Sequence, residues 1–271
     1  MEQEHRLIYL LDYLLGERGE HDTVGIPEDY ADKRDLFRTL VNVRSPYPIH
    51  SDFIRVQDDF LREESKQKGI VRLNDIPTIE ANNRISLWEG DITRLAACAV
   101  VNAANAKMLG CFIPGHNCID NVIHTFAGVQ LRLECAAIME KQGYPEPAGQ
   151  AKLTSAYNLP SDFVLHTVGP IVDGQVTDED KRLLASCYHS CLETACENNI
   201  ESIAFCCIST GVFHFPKEEA ALIAIDTVFA FLKSGGDFKR IIFVVFTEND
   251  EGIYKKSKKI ISAYSASKRW F

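Results

Sequence analysis

WEGDITRLAACAVVNAANAKMLGCFIPGHNCIDNVIH, residues 88–124, decides how the rest of the chain is read. An acidic turn, Gly90-Asp91-Ile92, comes first. A short apolar run, Ala99-Val100-Val101, then leads into Asn102-Ala103-Ala104-Asn105. Cys111, His116 and Cys118 follow within eight positions, and Asp120 stands at the start of an amphipathic segment. A strand that ends in polar residues, then a loop, then a helix start is the unit from which α/β sheets are built. In such sheets ligands bind past the carboxyl ends of the strands. The stretch reads as a nucleotide-sugar site with a metal built into it.

Downstream, short apolar runs alternate with amphipathic ones. Strands are expected over 84–88, 98–102, 152–155, 163–168, 202–208 and 240–246, and helices over 120–140, 177–198, 216–232 and 253–268. Pro216 suits a first helical position, with Glu218 and Glu219 placed to meet the helix dipole. Gly143 and Gly235 follow helix ends. This alternation predicts an α/β fold with helices on both faces of the sheet.

Upstream the pattern differs. Leu7, Leu10, Leu11, Leu14 and Leu15 fall at helical spacing, as do Leu36, Phe37, Leu40 and Val41. Asp52, near Ile54, Val56, Phe60 and Leu61, marks a third helix start. Ser45-Pro46-Tyr47-Pro48 separates the second from the third. Residues 1–80 are thus expected to form a helical extension that contributes stability and no chemistry, with 69–77 as a connection. Residues 81–271 form the main domain.

The chain has 271 residues, of which 46% are hydrophobic, enough for one full core and a smaller appendage. A net charge of −9 argues against general affinity for nucleic acid or an anionic membrane. No apolar run is long enough to span a bilayer, and the acidic first twenty residues do not resemble a signal peptide. A cytoplasmic location is expected. There the nine cysteines are buried thiols or metal ligands rather than disulfides.

A second loop, Ser209-Thr210-Gly211-Val212-Phe213-His214-Phe215-Pro216, runs from a strand into a helix. Small residues at such a junction leave backbone N–H groups free to cradle phosphate, although an ordinary tight connection has the same composition. Neither GxxxxGK nor GxGxxG occurs, so Walker and dinucleotide-binding readings lack support.

Gly90-Asp91-Ile92-Thr93, Asn102-Ala103-Ala104-Asn105, Tyr157-Asn158-Leu159-Pro160, His166-Thr167-Val168-Gly169-Pro170 and Ser209-Thr210-Gly211-Val212-Phe213 occur in that order. Together they resemble the macrodomain family, in particular its MacroD-type hydrolase branch. The resemblance covers residue 84 to the C-terminus. It implies a three-layer α/β/α macrodomain with a mixed sheet, here with an N-terminal helical extension. MacroD-type members carry a glycine run where this chain has Cys-Phe-Ile-Pro-Gly-His-Asn-Cys. That departure resembles the zinc-containing, sirtuin-linked subclass, which also has a helical extension.

Cys111, His116 and Cys118 offer thiolate, imidazole and thiolate, a donor set suited to Zn(II). Three ligands leave a fourth position open, as in a catalytic site; the alternatives are a structural zinc whose fourth ligand lies elsewhere, His124 being the nearest candidate, or no metal at all. By resemblance Asp91 accepts from the adenine amino group and the Ile92 N–H meets the ring. An N-cap on the turn over 92–95 is Asp91's ordinary role. Asn105 is implied to hold the distal ribose. Asp120 is either a helix N-cap or the group that orients the attacking water. Ser209, Thr210, Gly211, Val212 and Phe213 would hold the diphosphate through backbone N–H groups. Phe213 either packs on the ribose or joins the core, and His214 lines the loop. His166, Cys187, Cys191, Cys196, Cys206 and Cys207 read as core, with the last two adjacent in a strand. The Lys255-to-Lys259 run reads as a solvated helix face.

The activity implied is zinc-dependent hydrolysis of mono-ADP-ribose from protein side chains, at the C1–O bond of the distal ribose. Asn105 and Asp120 would be its catalytic residues. An ADP-ribose reader without turnover and an O-acetyl-ADP-ribose deacetylase are the alternatives. The subclass resemblance suggests a lipoylated carrier like the glycine-cleavage H protein as the modified partner.

Overall fold

The computed structural model describes residues 1–20, 23–80 and 82–256. Three helices come first: α1 (Gln3–Arg18), α2 (Tyr30–Val43) and α3 (Ser51–Lys68). Then follow β1 (Val71–Arg72), β2 (Thr78–Ile79), β3 (Asn82–Glu89), β4 (Leu95–Ala96) and β5 (Ala99–Ala104). Next are α4 (Ile119–Ala127), α5 (Val129–Gln142), β6 (Ala151–Ser155) and β7 (Phe163–Val168). The last are α6 (Asp178–Glu197), β8 (Ser202–Phe205), α7 (Lys217–Lys233) and β9 (Arg240–Val245).

Seven strands form one mixed sheet in the order β2-β3-β9-β8-β5-β7-β6. The five central strands are parallel, while β2 and β6 close the edges antiparallel. The central strands lie between helical layers, so they read as continuous apolar runs rather than alternating ones. β8 and most of β9 are buried on both faces. α4 packs on β5, α6 packs on β6 and β7, and α6 pairs with α7. The result is the expected three-layer α/β/α arrangement. Because β3, β5, β7, β8 and β9 run the same way, the segments after them converge at one end of the sheet.

Five expectations need correction. Cys196, expected in the core, is exposed near the end of α6. The helix expected over 120–140 is two helices bent by 111° at Gly128. Gly128 has φ +97°, a conformation that breaks a right-handed helix and suits glycine. The connection expected over 69–77 holds β1 and reaches β2, which pairs with β3 inside the main sheet. The strand expected to 208 ends at Phe205, leaving Cys206 and Cys207 just beyond it. Pro216 is the residue before α7 rather than its first. The C-terminal helix covers 248–256; the rest of the expected 253–268 helix, with part of the lysine run, lies outside the described residues.

The N-terminal helices bury most of the residues their spacing predicted, while Leu36 and Ile54 are only half-buried. Leu7, Leu10, Leu11, Leu14 and Leu15 of α1 meet Phe37, Leu40, Phe53, Val56, Phe60 and Leu61 in a second, smaller core. Val129 at the start of α5 completes it. The layer is also docked by polar groups: Gln57 of α3 accepts from the Val129 N–H at the α4–α5 bend (3.1 Å).

Candidate functional site

The loop after β5 begins at Asn105 and ends where α4 starts. Cys111, His116 and Cys118 lie half-buried along it, with their ligand atoms all within 4.8 Å of one another. The Cys111 sulfur is 3.4 Å from His116 Nδ1. In a tetrahedron of zinc–thiolate and zinc–imidazole bonds the ligand atoms are about 3.5–3.8 Å apart, so the donor set and spacing fit that metal. His124 belongs instead to a separate, fully buried group with Cys135 and His166. Among the described residues, no fourth His, Cys, Asp or Glu joins the Cys-His-Cys set. Burial pushes the free Cys118 thiol up to about 11; a bound cation would favour the thiolate.

Asp120 does not cap α4. Cys118 occupies the N-cap, its sulfur accepting from the Asn121 N–H at 3.4 Å. Asp120, in the first turn, points inward and is only 4% exposed. Its Oδ1 accepts from Asn102 (2.8 Å) and its Oδ2 from Asn105 (3.0 Å). Both asparagines lie on or just beyond β5, so the strand end sets the carboxylate's orientation. Burial raises the carboxyl to about 6, against the lowering effect of the Asn102 bond, the Arg132 charge and the Asn105 bond. The ordinary fate proposed for Asp120, a cap, is therefore not the one observed.

Asn105 also donates to the Gly110 carbonyl (3.1 Å) and accepts from the Lys107 N–H (3.0 Å). Its amide thus braces the root of the Cys-His-Cys loop as well as Asp120. Behind it, Asn102 also reaches His166 Nδ1 at 3.1 Å. With Nδ1 accepting, the ring proton sits on Nε2 and faces Thr154 Oγ1 at 2.9 Å. His166 is core, as expected, and desolvation lowers its pKa to about 3. His124 is likewise buried, and desolvation drives it well below the ordinary histidine range.

At the end of β3, Asp91 does cap the following turn. Its Oδ1 accepts from the Thr93 N–H (2.9 Å) and hydroxyl (2.6 Å). The second oxygen has no hydrogen-bond partner among the described residues. Gly90 is required by close approach: a Cβ there would lie 2.3 Å from the Trp88 ring.

After β8, Ser209 adopts φ +64° and turns the chain. The Phe215 N–H closes the loop on the Ser209 carbonyl (3.0 Å), and the Val172 N–H braces the Phe213 carbonyl (2.9 Å). The Thr210 and His214 N–H groups also bond internally. Those of Gly211, Val212 and Phe213 find no backbone acceptor among the described residues, on a loop where Gly211, Val212 and His214 are exposed. The loop therefore presents donors outward, as an anion cradle needs. Phe213 is half-buried, so it is not a core residue.

Comparison with known proteins places the chain. The Macro domain family matches residues 101–224. A protein-ADP-ribose hydrolase of Treponema medium is 51% identical over 258 residues, covering 94% of this chain and 99% of that protein. The chain belongs to the macrodomain family. An Oceanobacillus iheyensis macrodomain with MES bound superposes with a TM-score of 0.63 at 37% identity, covering 70% of this chain and 97% of that one. A Trypanosoma brucei macrodomain in complex with ADP-ribose gives a TM-score of 0.63 at 29% identity, covering 81% of this chain and 94% of that one.

Two features of this macrodomain site escaped the sequence reading. Phe246, the residue after β9, is 77% exposed. The Gly90 N–H bonds the Val245 carbonyl (3.0 Å), which sets Phe246 beside the Asp91 turn. Its sequence signal was the end of an apolar strand, which looks the same for core and site. The second is Arg132 of α5, buried and donating to the carbonyls of Leu109 (2.7 Å) and Val41 (2.9 Å). It ties the Cys-His-Cys loop to α2, and its guanidinium lies 4.4 Å from the centre of the Phe112 ring.

Proposed function

We propose that this macrodomain protein is a zinc-dependent hydrolase that removes mono-ADP-ribose from protein side chains by cleaving the C1–O bond of the distal ribose. One observation carries the reading. A Cys-His-Cys set and a buried, doubly held aspartate stand together at the end of the sheet where Asp91 and an outward-facing N–H loop also lie. The name of the Treponema medium relative, protein-ADP-ribose hydrolase, supports the reaction. The Trypanosoma brucei complex supports the ligand.

The chain's own residues divide the work by position. The free oxygen of Asp91 accepts from the adenine amino group, the Ile92 N–H meets the ring, and Phe246 supplies a face for it to stack on. The N–H groups of Gly211, Val212 and Phe213, with that of Ser209, take the diphosphate, which lets an acidic protein bind a dianion, while Thr210 donates its N–H and hydroxyl to the Cys207 carbonyl and shapes the loop. Asn105 meets the distal ribose with its remaining acceptor capacity. Cys111, His116 and Cys118 hold zinc, which supplies Lewis acidity toward a ribose hydroxyl or water. Asp120, fixed by Asn102 and Asn105, orients the water that adds at C1 as the bond to the side chain breaks.

A panel of mono-ADP-ribosylated proteins tests the reading, with a lipoylated carrier resembling the glycine-cleavage H protein among them. Released ADP-ribose, followed by chromatography, is the expected product. Tight binding of ADP-ribose with no release from any member would make the protein a reader. Acetate release from O-acetyl-ADP-ribose alone would make it a deacetylase. A cytoplasmic location is part of the proposal, and fractionation checks it.

A further inference from the structure

We propose that Arg38 of α2, with Asn42 one turn on, is a positioning residue for the metal loop, so that the N-terminal helical layer builds the catalytic centre. The inference rests on the zinc reading above and extends it to a region that its sequence marks only as packing.

All three hydrogen bonds of the Arg38 side chain cross to the loop or to α4. Its Nη2 donates to the carbonyl of His116 (2.8 Å), to Asn117 Oδ1 (3.2 Å) and to Asn121 Oδ1 (3.3 Å). Among the described residues its Nε is buried without a partner, and the side chain's polar contacts go to the loop and to α4. Asn42 lies four residues later on the same helix face. Its Oδ1 accepts from the Gly115 N–H (3.2 Å), and its Nδ2 donates to Thr125 Oγ1 (3.0 Å) in α4.

Asn121 converts these contacts into ligand geometry. With its Oδ1 fixed by Arg38, its Nδ2 donates to the carbonyls of Cys111 (3.3 Å) and Ile113 (3.0 Å). Its backbone N–H donates to the Cys118 sulfur (3.4 Å). One residue thus reaches both cysteine ligands, and Arg38 sets that residue while also gripping the carbonyl of the histidine ligand. A loop of eight residues with Pro114 and Gly115 at its tip has no ladder of its own to hold three ligands in register. Groups outside the ligand shell then decide how well the metal is held, and removing one typically costs about 10–100-fold in affinity.

The test uses the full-length protein as wild type, Arg38→Ala, Arg38→Lys and Arg55→Ala. The last is a control on α3, where Arg55 pairs with Asp52 at the surface. Zinc dissociation constants come from competition with a chromophoric chelator, release rates from transfer to excess chelator, and fold from melting of the metal-free forms. Arg38→Ala should weaken zinc binding by about 10–100-fold and speed its release. Arg38→Lys should recover part of this, Arg55→Ala should match wild type, and metal-free melting should hardly change. Arg38→Ala with wild-type affinity and release rate overturns the proposal. If that variant does not fold, Arg38→Lys decides: faster zinc release supports the clamp, and wild-type release overturns it. A wild-type protein that takes up no zinc removes the zinc reading itself, and the clamp with it.

Discussion

Asp91 caps its turn with one carboxylate oxygen, and in the proposed function the other meets the adenine. Its Oδ1 is committed to Thr93, which leaves the second oxygen for a base. Asp91→Ala therefore removes the cap and, in the proposed function, a ligand contact at once. Asp91→Asn keeps a cap acceptor and loses the charge. Either should weaken ADP-ribose binding by about 1–3 kcal/mol, and the alanine variant should lose about 1 kcal/mol more in stability. Calorimetric titration showing wild-type affinity in both would remove Asp91 from the adenine site. His166 makes a prediction about acid. Its folded pKa, about 3, lies below the ordinary 6.5, so the unfolded chain binds the extra proton. Its contribution is complete above pH 6.5 and is lost progressively as pH falls toward 3. Urea unfolding between pH 7 and 4 should show stability falling, and His166→Gln should flatten the slope by up to about 1.4 kcal/mol per pH unit. An unchanged slope would mean that His166 is not buried neutral. At this scale the local signals were readable: Asp91 before a turn, Cys111, His116 and Cys118 brought together within eight residues, small residues before a helix. Arg38, Asn42 and Phe246 were not, because nothing adjacent in sequence says what a lone arginine or a strand-end phenylalanine will meet.

Among the elements, the bend between α4 and α5 decides where the site's helix ends. The apolar spacing continues across Gly128, which is why a single helix was expected. The interruption lies in one residue's backbone sign, and a lone glycine inside an apolar pattern reads equally as a tolerated helix residue. Gly128→Ala should destabilise by about 1–3 kcal/mol through its positive φ. A Cβ there would also lie 2.5 Å from Gln57 Nε2, the side chain that docks α3 on the bend. Urea denaturation reads the effect, and a stabilised variant would show that the bend is not required. β1 and β2 were illegible for another reason. Strands of two residues carry no period, and their pairing with β4 and β3 is a tertiary fact. The longer strands were legible because burial on both faces leaves unbroken apolar runs between turn residues.

Across the whole molecule, two cores meet along α2, α3 and the α4–α5 bend. The helical layer was visible in sequence from its leucine spacing, yet its place against the Cys-His-Cys loop depends on contacts some eighty residues apart in sequence, such as Arg38 with Asn117 (3.2 Å). Unfolding should accordingly be one cooperative transition, because removing α1–α3 exposes Val129 and leaves Arg132 without its α2 acceptor. A truncation lacking residues 1–68 that melts like the full chain would contradict this. The central claim is that the metal loop and the nucleotide end of the sheet form one hydrolytic centre. Its most direct measurement is single-turnover release of ADP-ribose from a mono-ADP-ribosylated protein. It would compare metal-quantified enzyme, the same enzyme stripped by chelator and reloaded with zinc, and Cys118→Ala. The account predicts one zinc per chain, near-complete loss of release on stripping, recovery on reloading, and no release from folded Cys118→Ala. Wild-type release from the zinc-free, folded variant would contradict it and leave catalysis to Asp120 and Asn105.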